Sequence, residues 1–335
     1  MAKLDHIATS AKHRFVLPGR PSNIGQTYGG LAGLLLLILF NILFTPRFLA
    51  LQTLDINLTQ VAPTAIVATG MTLVIATGGI DLSVGSLMAI AGALAPIIFL
   101  SAFPLFHNPL SGNIAAILLP LVVVGVLGLF NGILVTRFRI QPIIATLILF
   151  VAGRGLAQVL TNGNLQVFQN PGFQFIGQGR IVGIPFQAIL MIIIVIAFAV
   201  IMRISTFGRY VLAAGGNEKA ARLSGVPVNR IKLAVYAISA LLAGVAGFIV
   251  ISINSSSDAN QVGLNMELDA IAAAAVGGTP LLGGQANVIG TLIGALIIQL
   301  IRSTLLSHNV PFAVAQIIDA AIILLAVYVQ RQRKS

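Results

Sequence analysis

Ten apolar runs divide this chain, and most are close to the length of a membrane-spanning helix. A bilayer core about 30 Å thick takes about 20 apolar residues. Backbone groups in hydrocarbon must be satisfied within the segment, so such runs are expected to be helices. They lie at about 28–45, 59–77, 82–101, 113–135, 142–161, 187–202, 231–253, 267–277, 287–305 and 312–330. The eighth is short and glycine-rich at its end, which predicts a broken or re-entrant segment. The sequence is 57% hydrophobic and only 8% charged, whereas a soluble domain carries about 25% charge. The predicted fold class is therefore all-α: a polytopic membrane protein of about ten transmembrane helices, with residues 1–335 forming one transmembrane domain.

The basic residues orient these spans. If the N-terminus is inside, Lys3, Lys12, Arg14 and Arg20 lie inside, with Arg137 and Arg139. So do Arg203, Arg209, Lys219, Arg222, Arg230 and Lys232, and finally Arg331, Arg333 and Lys334. Together these are fifteen of the 19 Lys and Arg. Only Arg47 and Arg180 fall outside, and Arg154 and Arg302 fall within spans. Positive loops stay in the cytoplasm, so both termini are expected to be cytoplasmic, with 1–27 as an N-terminal tail. The net charge of +11 does not indicate nucleic acid, because the charges flank apolar runs rather than forming one basic face. The first run is followed directly by a polar loop without a small-residue cleavage site, so it reads as a retained helix rather than a cleaved signal.

The longest basic inside segment is 203–230. Within it, Asn217 is a good N-cap and Glu218 complements the helix dipole. Ala220 and Ala221 favour helix, Gly225 can close it, and Pro227 prevents the helix from resuming, with Arg222 and Ser224 inside the same segment. A short capped helix held at the membrane surface between two spans is a docking element for a soluble partner.

Two glycine-rich turns interrupt the spans on the same side. One runs through Gly78, Gly79, Asp81 and Ser83, and the other through 277–284, GGTPLLGG. Asp81 or Ser83 can cap the third helix, which makes the turn structural. A discontinuous helix beside a pathway is the functional reading, since irregular backbone at membrane depth lines cavities or is buried in protein. Of the charges within spans, Arg154 and Asp319 are placed at matching depth, where they could pair; Arg154 facing a wet cavity alone is the other reading. Glu267 and Asp269 begin the eighth run and can cap it.

Several chemistries are excluded. There is no cysteine, hence no disulfide or thiol nucleophile. His6, His13, His107 and His308 show no metal-ligand spacing, so no metal site, catalytic group or cofactor is expected. No phosphate-binding G-x-x-x-x-G-K-[ST] loop occurs, so any ATP must be bound by another chain. The outer loop 162–186 carries Phe168, Phe173, Phe175 and Phe186, either as a lid or partner surface or as an ordinary loop packed on its own protein. The pairs Gly29/Gly33, Gly128/Gly132 and Gly290/Gly294 suit close helix packing or a dimer seam.

Four motifs, in order, resemble those of the bacterial ABC-type sugar permeases of the ribose, xylose, arabinose and galactose branch. They are GMTLVIATGGIDLSVGS at 70–86, QPIIATLI-x-x-x-AGRG at 141–155, GNEKAARLSGV at 216–226 and GGT-x-LLGG at 277–284. The resemblance implies a permease domain of ten spans that imports a monosaccharide, a pentose or a hexose, galactofuranose among them, across the inner membrane. It implies three partners: a cytoplasmic ATPase with two nucleotide-binding cassettes, a periplasmic sugar-binding protein, and a second permease subunit, identical or not. It also implies that about 217–224 is the helix coupling the permease to the ATPase. An ion-coupled secondary transporter and a membrane scaffold are the alternatives.

Overall fold

The computed structural model describes residues 23–101, 108–311, 313–318 and 320–321. Its helices are α1 (Asn23–Phe44), α2 (Leu51–Ala76), α3 (Val84–Phe99), α4 (Pro109–Thr136), α5 (Pro142–Leu160), α6 (Pro171–Gln178), α7 (Phe186–Ile204), α8 (Thr206–Gly216), α9 (Glu218–Leu223), α10 (Val228–Asn254), α11 (Met266–Val276) and α12 (Val288–Ser307). Residues 313–318 and 320–321 are also helical, so the run expected at 312–330 extends beyond the described part of the chain.

Among the described residues, six helices are long and apolar enough to cross a membrane: α2, α4, α5, α7, α10 and α12. The apolar stretch Gly29–Phe44 and α3 are shorter. Among the expected spans, α11 is the exception, with only 11 residues. At 1.5 Å per residue it reaches about 16 Å, roughly half a bilayer core. The glycines after it end the helix, as the eighth run predicts.

The bundle is organised around α10, which packs on α4, α2 and α3. The second half of α2, from Val61 to Ala76, is buried almost throughout, as is α3 from Val84 to Ala93. Small residues allow this density. A Cβ on Gly128 would lie 2.5 Å from that of Ala240, and one on Gly132 would lie 3.0 Å from the backbone of Leu233. Gly290 and Gly294 abut the carbonyls of Gly277 and Ala273, bringing α12 onto α11. These two pairs serve packing within the chain, while Gly29 and Gly33 meet nothing within 4 Å. Large apolar side chains on α1, α4, α5 and α7 point outward, among them Leu36, Val122, Val151 and Ile193. For a membrane protein this is the lipid-facing surface.

Two short antiparallel pairings lie at one end of the bundle. Strands β1 (Gln166–Val167) and β4 (Ser256–Ser257) pair antiparallel, as do β2 (Arg180–Ile181) and β3 (Ile184–Pro185). At this end Phe168 and Phe173 are buried against Phe99 and Phe248. Phe175 and Phe186 form a second, more exposed contact. Phe168 and Phe173 are thus packed on their own protein, while Phe175, Ile181, Val182 and Ile184 of the same loop are exposed.

Candidate functional site

The opposite end of the bundle gathers both glycine-rich turns and the basic segment after α7. That segment holds two helices, not one. Ser205 caps α8 through a bond from the Gly208 amide at 3.1 Å. Asn217 then ends α8 and caps α9, its Oδ1 accepting from the Ala220 amide at 3.0 Å. Gly225, at φ 81, closes α9 in the left-handed conformation that favours glycine. The cap residues expected from sequence therefore occupy the expected positions. Ala221 is buried against Ala214 and Val228.

Glu218 ties α9 to its neighbours. It accepts from Arg222 at 2.7 Å and from Lys232, in the first turns of α10, at 2.7 Å. Arg222 also reaches Asn229 at 2.6 Å. Burial would push the Glu218 carboxyl up. The Lys232 and Arg222 hydrogen bonds and charges outweigh it, holding the group below its ordinary range.

The end of α8 touches both membrane breaks through backbone alone. The Gly284 amide donates to the Ala76 carbonyl at 2.9 Å. A Cβ on Gly215 would overlap that same carbonyl and lie 2.7 Å from the Gly284 nitrogen. A Cβ on Gly283 would in turn lie 2.8 Å from the Gly78 nitrogen. Three segments distant in sequence thus meet at a junction with no room for side chains.

Beyond the junction the chain turns through Gly78 and Gly79 to a buried polar cluster. Asp81 is 1% exposed. Its Oδ1 accepts from the Ser83 amide at 3.0 Å and the Ser83 hydroxyl at 2.6 Å, and its Oδ2 accepts from Ser239 at 3.0 Å. Asn131 donates to Ser83 Oγ at 2.9 Å. Ser83 occupies the N-cap position of α3 but makes no side-chain cap bond, so of the two capping candidates Asp81 is the one that takes an amide, that of Ser83. Asn131 lies six residues before Arg137, about 9 Å along α4. Asp81 and Ser83 are therefore buried inside protein, while Gly78, at the start of the turn, is exposed.

A family model described as a branched-chain amino acid transport system / permease component matches residues 53–327. The chain belongs to this family. The galactofuranose transporter permease protein YtfT of Escherichia coli (strain K12) is 40% identical over 97% of this chain and 93% of its own length. The ribose import permease protein RbsC of Bacillus subtilis (strain 168) is 38% identical over 92% of this chain and 94% of its own. The L-arabinose ABC transporter permease protein AraH of Azospirillum brasilense is 33% identical over 88% and 84%. No solved structure matches the chain.

In this permease the intramembrane charges have partners that sequence alone did not reveal. Arg154 donates through Nη1 to the carbonyls of Ala259 and Val262, at 2.9 and 2.5 Å. It anchors the loop between α10 and α11 at the end opposite the junction. Asp319, its expected partner, lies outside the described residues. Arg302 pairs with Asp269 at 3.2 Å, so that carboxylate joins α12 to α11 rather than simply capping a helix. The participation of Ser239, Asn131 and Gly215 was also missed. The signals that mark them are that Ser239 and Asn131 are polar residues inside apolar runs and that Gly215–Gly216 is a glycine pair directly before a cap.

Proposed function

We propose that the permease imports a monosaccharide, pentose or hexose, across the bacterial inner membrane as the transmembrane subunit of an ATP-driven importer. The observation that carries this is its 38–40% identity, over nine-tenths of both chains, to permeases named for galactofuranose and ribose. These similarities favour a sugar over the amino acids in the family description, because they run nearly end to end. ATP is hydrolysed on a separate two-cassette chain. A periplasmic binding protein delivers the sugar, and two permease subunits form the pathway between them. The chain crosses the membrane ten times with both ends in the cytoplasm, and the junction end faces the ATPase.

In this reading α9 is the coupling helix, with Asn217, Glu218, Ala221, Arg222, Ser224 and Gly225 shaping it. Closure of the ATPase displaces α8 and α9 as a unit. The side-chain-free contacts of Gly215 pass that displacement to the two breaks, at Gly78–Ser83 and at 277–284. The Asp81 network keeps the first break from unfolding as it moves. Interfaces with no side chain between them transmit small shifts, because packed contacts do not deform smoothly.

Reconstitution tests the proposal. Proteoliposomes containing this chain, a two-cassette ATPase and a sugar-binding protein should take up sugar only with ATP. Uptake by the chain alone on an ion gradient would instead make it a secondary transporter. Transport of branched-chain amino acids but of no sugar would overturn the substrate class.

A further inference from the structure

A cavity of about 490 Å³ separates α9 from the turn between α4 and α5, at the junction end of the bundle. Gly78 lines it, so it reaches the first break. Its charged lining is Arg139, Arg222, Lys232 and Glu218, supplemented by the amides of Gln141 and Asn229. Three cations thus face one carboxylate. Glu218 occupies Nε and Nη2 of Arg222 and one bond of Lys232, which leaves Arg222 Nη1 and further Lys232 hydrogens as donors. Arg139 is exposed and forms no ion pair among the described residues. Its backbone sits at φ 54, in the left-handed region that a non-glycine residue seldom occupies.

We propose that this cavity binds a phosphate group, which bridges Arg139 on the α4–α5 turn to Arg222 and Lys232 beside α9. Guanidinium and ammonium donors around an uncompensated positive pocket suit a tetrahedral oxyanion, and arginine suits it best. The volume accommodates a glycerophosphate headgroup or a small phosphate ester. The contacts that Glu218 makes on one wall would then be matched by phosphate contacts across the cavity, and α9 would be held from both sides. The site rests on the reading of this end as the cytoplasmic membrane surface, where both anionic lipid headgroups and soluble phosphates are present.

The test uses the full chain in nanodiscs, with and without its ATPase. Nanodiscs expose both faces, so binding is measured whatever the orientation, and a wrong topology shows separately in the labelling experiment below. One arm adds phosphatidylglycerol to a phosphatidylcholine disc. The other keeps phosphatidylcholine alone and adds glycerol 3-phosphate. Native mass spectrometry reads the bound phosphate species. The wild type should retain one such species per chain in at least one arm, and Arg139→Gln should weaken it roughly tenfold, the loss of one charge-assisted contact. Arg139→Lys should restore part of the binding. Retention in the lipid arm alone identifies a headgroup, and retention in the soluble arm alone a free phosphate ester. No retention in either arm, or equal retention by wild type and a correctly inserted Arg139→Gln, would overturn the site.

Discussion

The amide of Gly284 donates to the carbonyl of Ala76 at 2.9 Å, with Gly215 wedged against both. The end of α2, the turn after α11 and the end of α8 therefore move together or break apart. Gly215→Ala should be costly, because its methyl group would overlap backbone rather than a flexible side chain. Overpacking of this kind costs about 1–3 kcal/mol. Gly216→Ala is the control, since its Cβ would meet only Gly284 Cα, at 4.0 Å. We expect Gly215→Ala to lower the melting temperature and substrate-stimulated ATPase activity, with Gly216→Ala near wild type. Equal behaviour of the two variants would remove the junction from the mechanism.

The Glu218–Lys232 contact predicts a separation of coupling from stability. Both Glu218 bonds are partly exposed, so each is worth under about 1 kcal/mol. Glu218→Gln should shift the melting temperature little yet reduce stimulated ATPase activity several-fold, because α9 loses its charged tie to Lys232 of α10. The pH dependence has a definite sign. The carboxyl is held below its ordinary value in the folded protein, so its contribution is full above the unfolded value of about 4.3. It is lost as pH falls through the lower folded value. Coupling should therefore not weaken on this account between neutral pH and 5, and a Glu218-dependent loss near pH 6 would contradict the contact.

Ala221→Glu tests the packing of α9. Ala221 is 6% exposed, and a carboxylate there would be placed among Ala214, Val226 and Val228. The helix should detach from α8 and α10 while the spans stay inserted. Stimulated hydrolysis should vanish and membrane yield should hold. Full coupling in this variant would sink the assignment of α9.

Asp81 accepts three hydrogen bonds in a site closed to solvent. Asp81→Ala orphans the Ser83 amide, the Ser83 hydroxyl and the Ser239 hydroxyl, at about 1–3 kcal/mol for each donor left unpaired. Asp81→Asn keeps an acceptor for Ser83 and should be milder. Folded yield by fluorescence-detected chromatography should rank wild type, Asn, then Ala. Adding Ser239→Ala to Asp81→Ala should cost less than the sum of the separate effects, since one orphan is removed. Strict additivity would mean that the two residues do not interact.

Orientation is open to direct labelling, because the sequence has no cysteine. A cysteine at Asn164 should react with an impermeant maleimide in intact cells, and one at Lys219 only after permeabilisation. Both positions are exposed. Labelling of the Lys219 site from outside would reverse the topology and place the proposed ATPase face on the wrong side.

Much of this protein was legible in one dimension. Length and hydropathy located α2, α4, α5, α7, α10 and α12, the helices long and apolar enough to cross a membrane, because a helix in lipid satisfies its own backbone and needs no partner to be recognised. The caps of α9 were equally local, since Asn217 and Gly225 act within one turn. α8 was missed because its glycines and polar residues read as loop, and packing between α7 and α10 makes it a helix.

What the sequence could not supply was which faces meet. An arginine inside an apolar run announces a cost but not its remedy. Arg154 is satisfied by carbonyls about a hundred residues away and Arg302 by Asp269, through helix rotations that one sequence does not encode legibly. The same holds for the contacts of Gly215 with Ala76 and Gly284. A glycine permits close approach, but only the tertiary arrangement decides which backbone arrives.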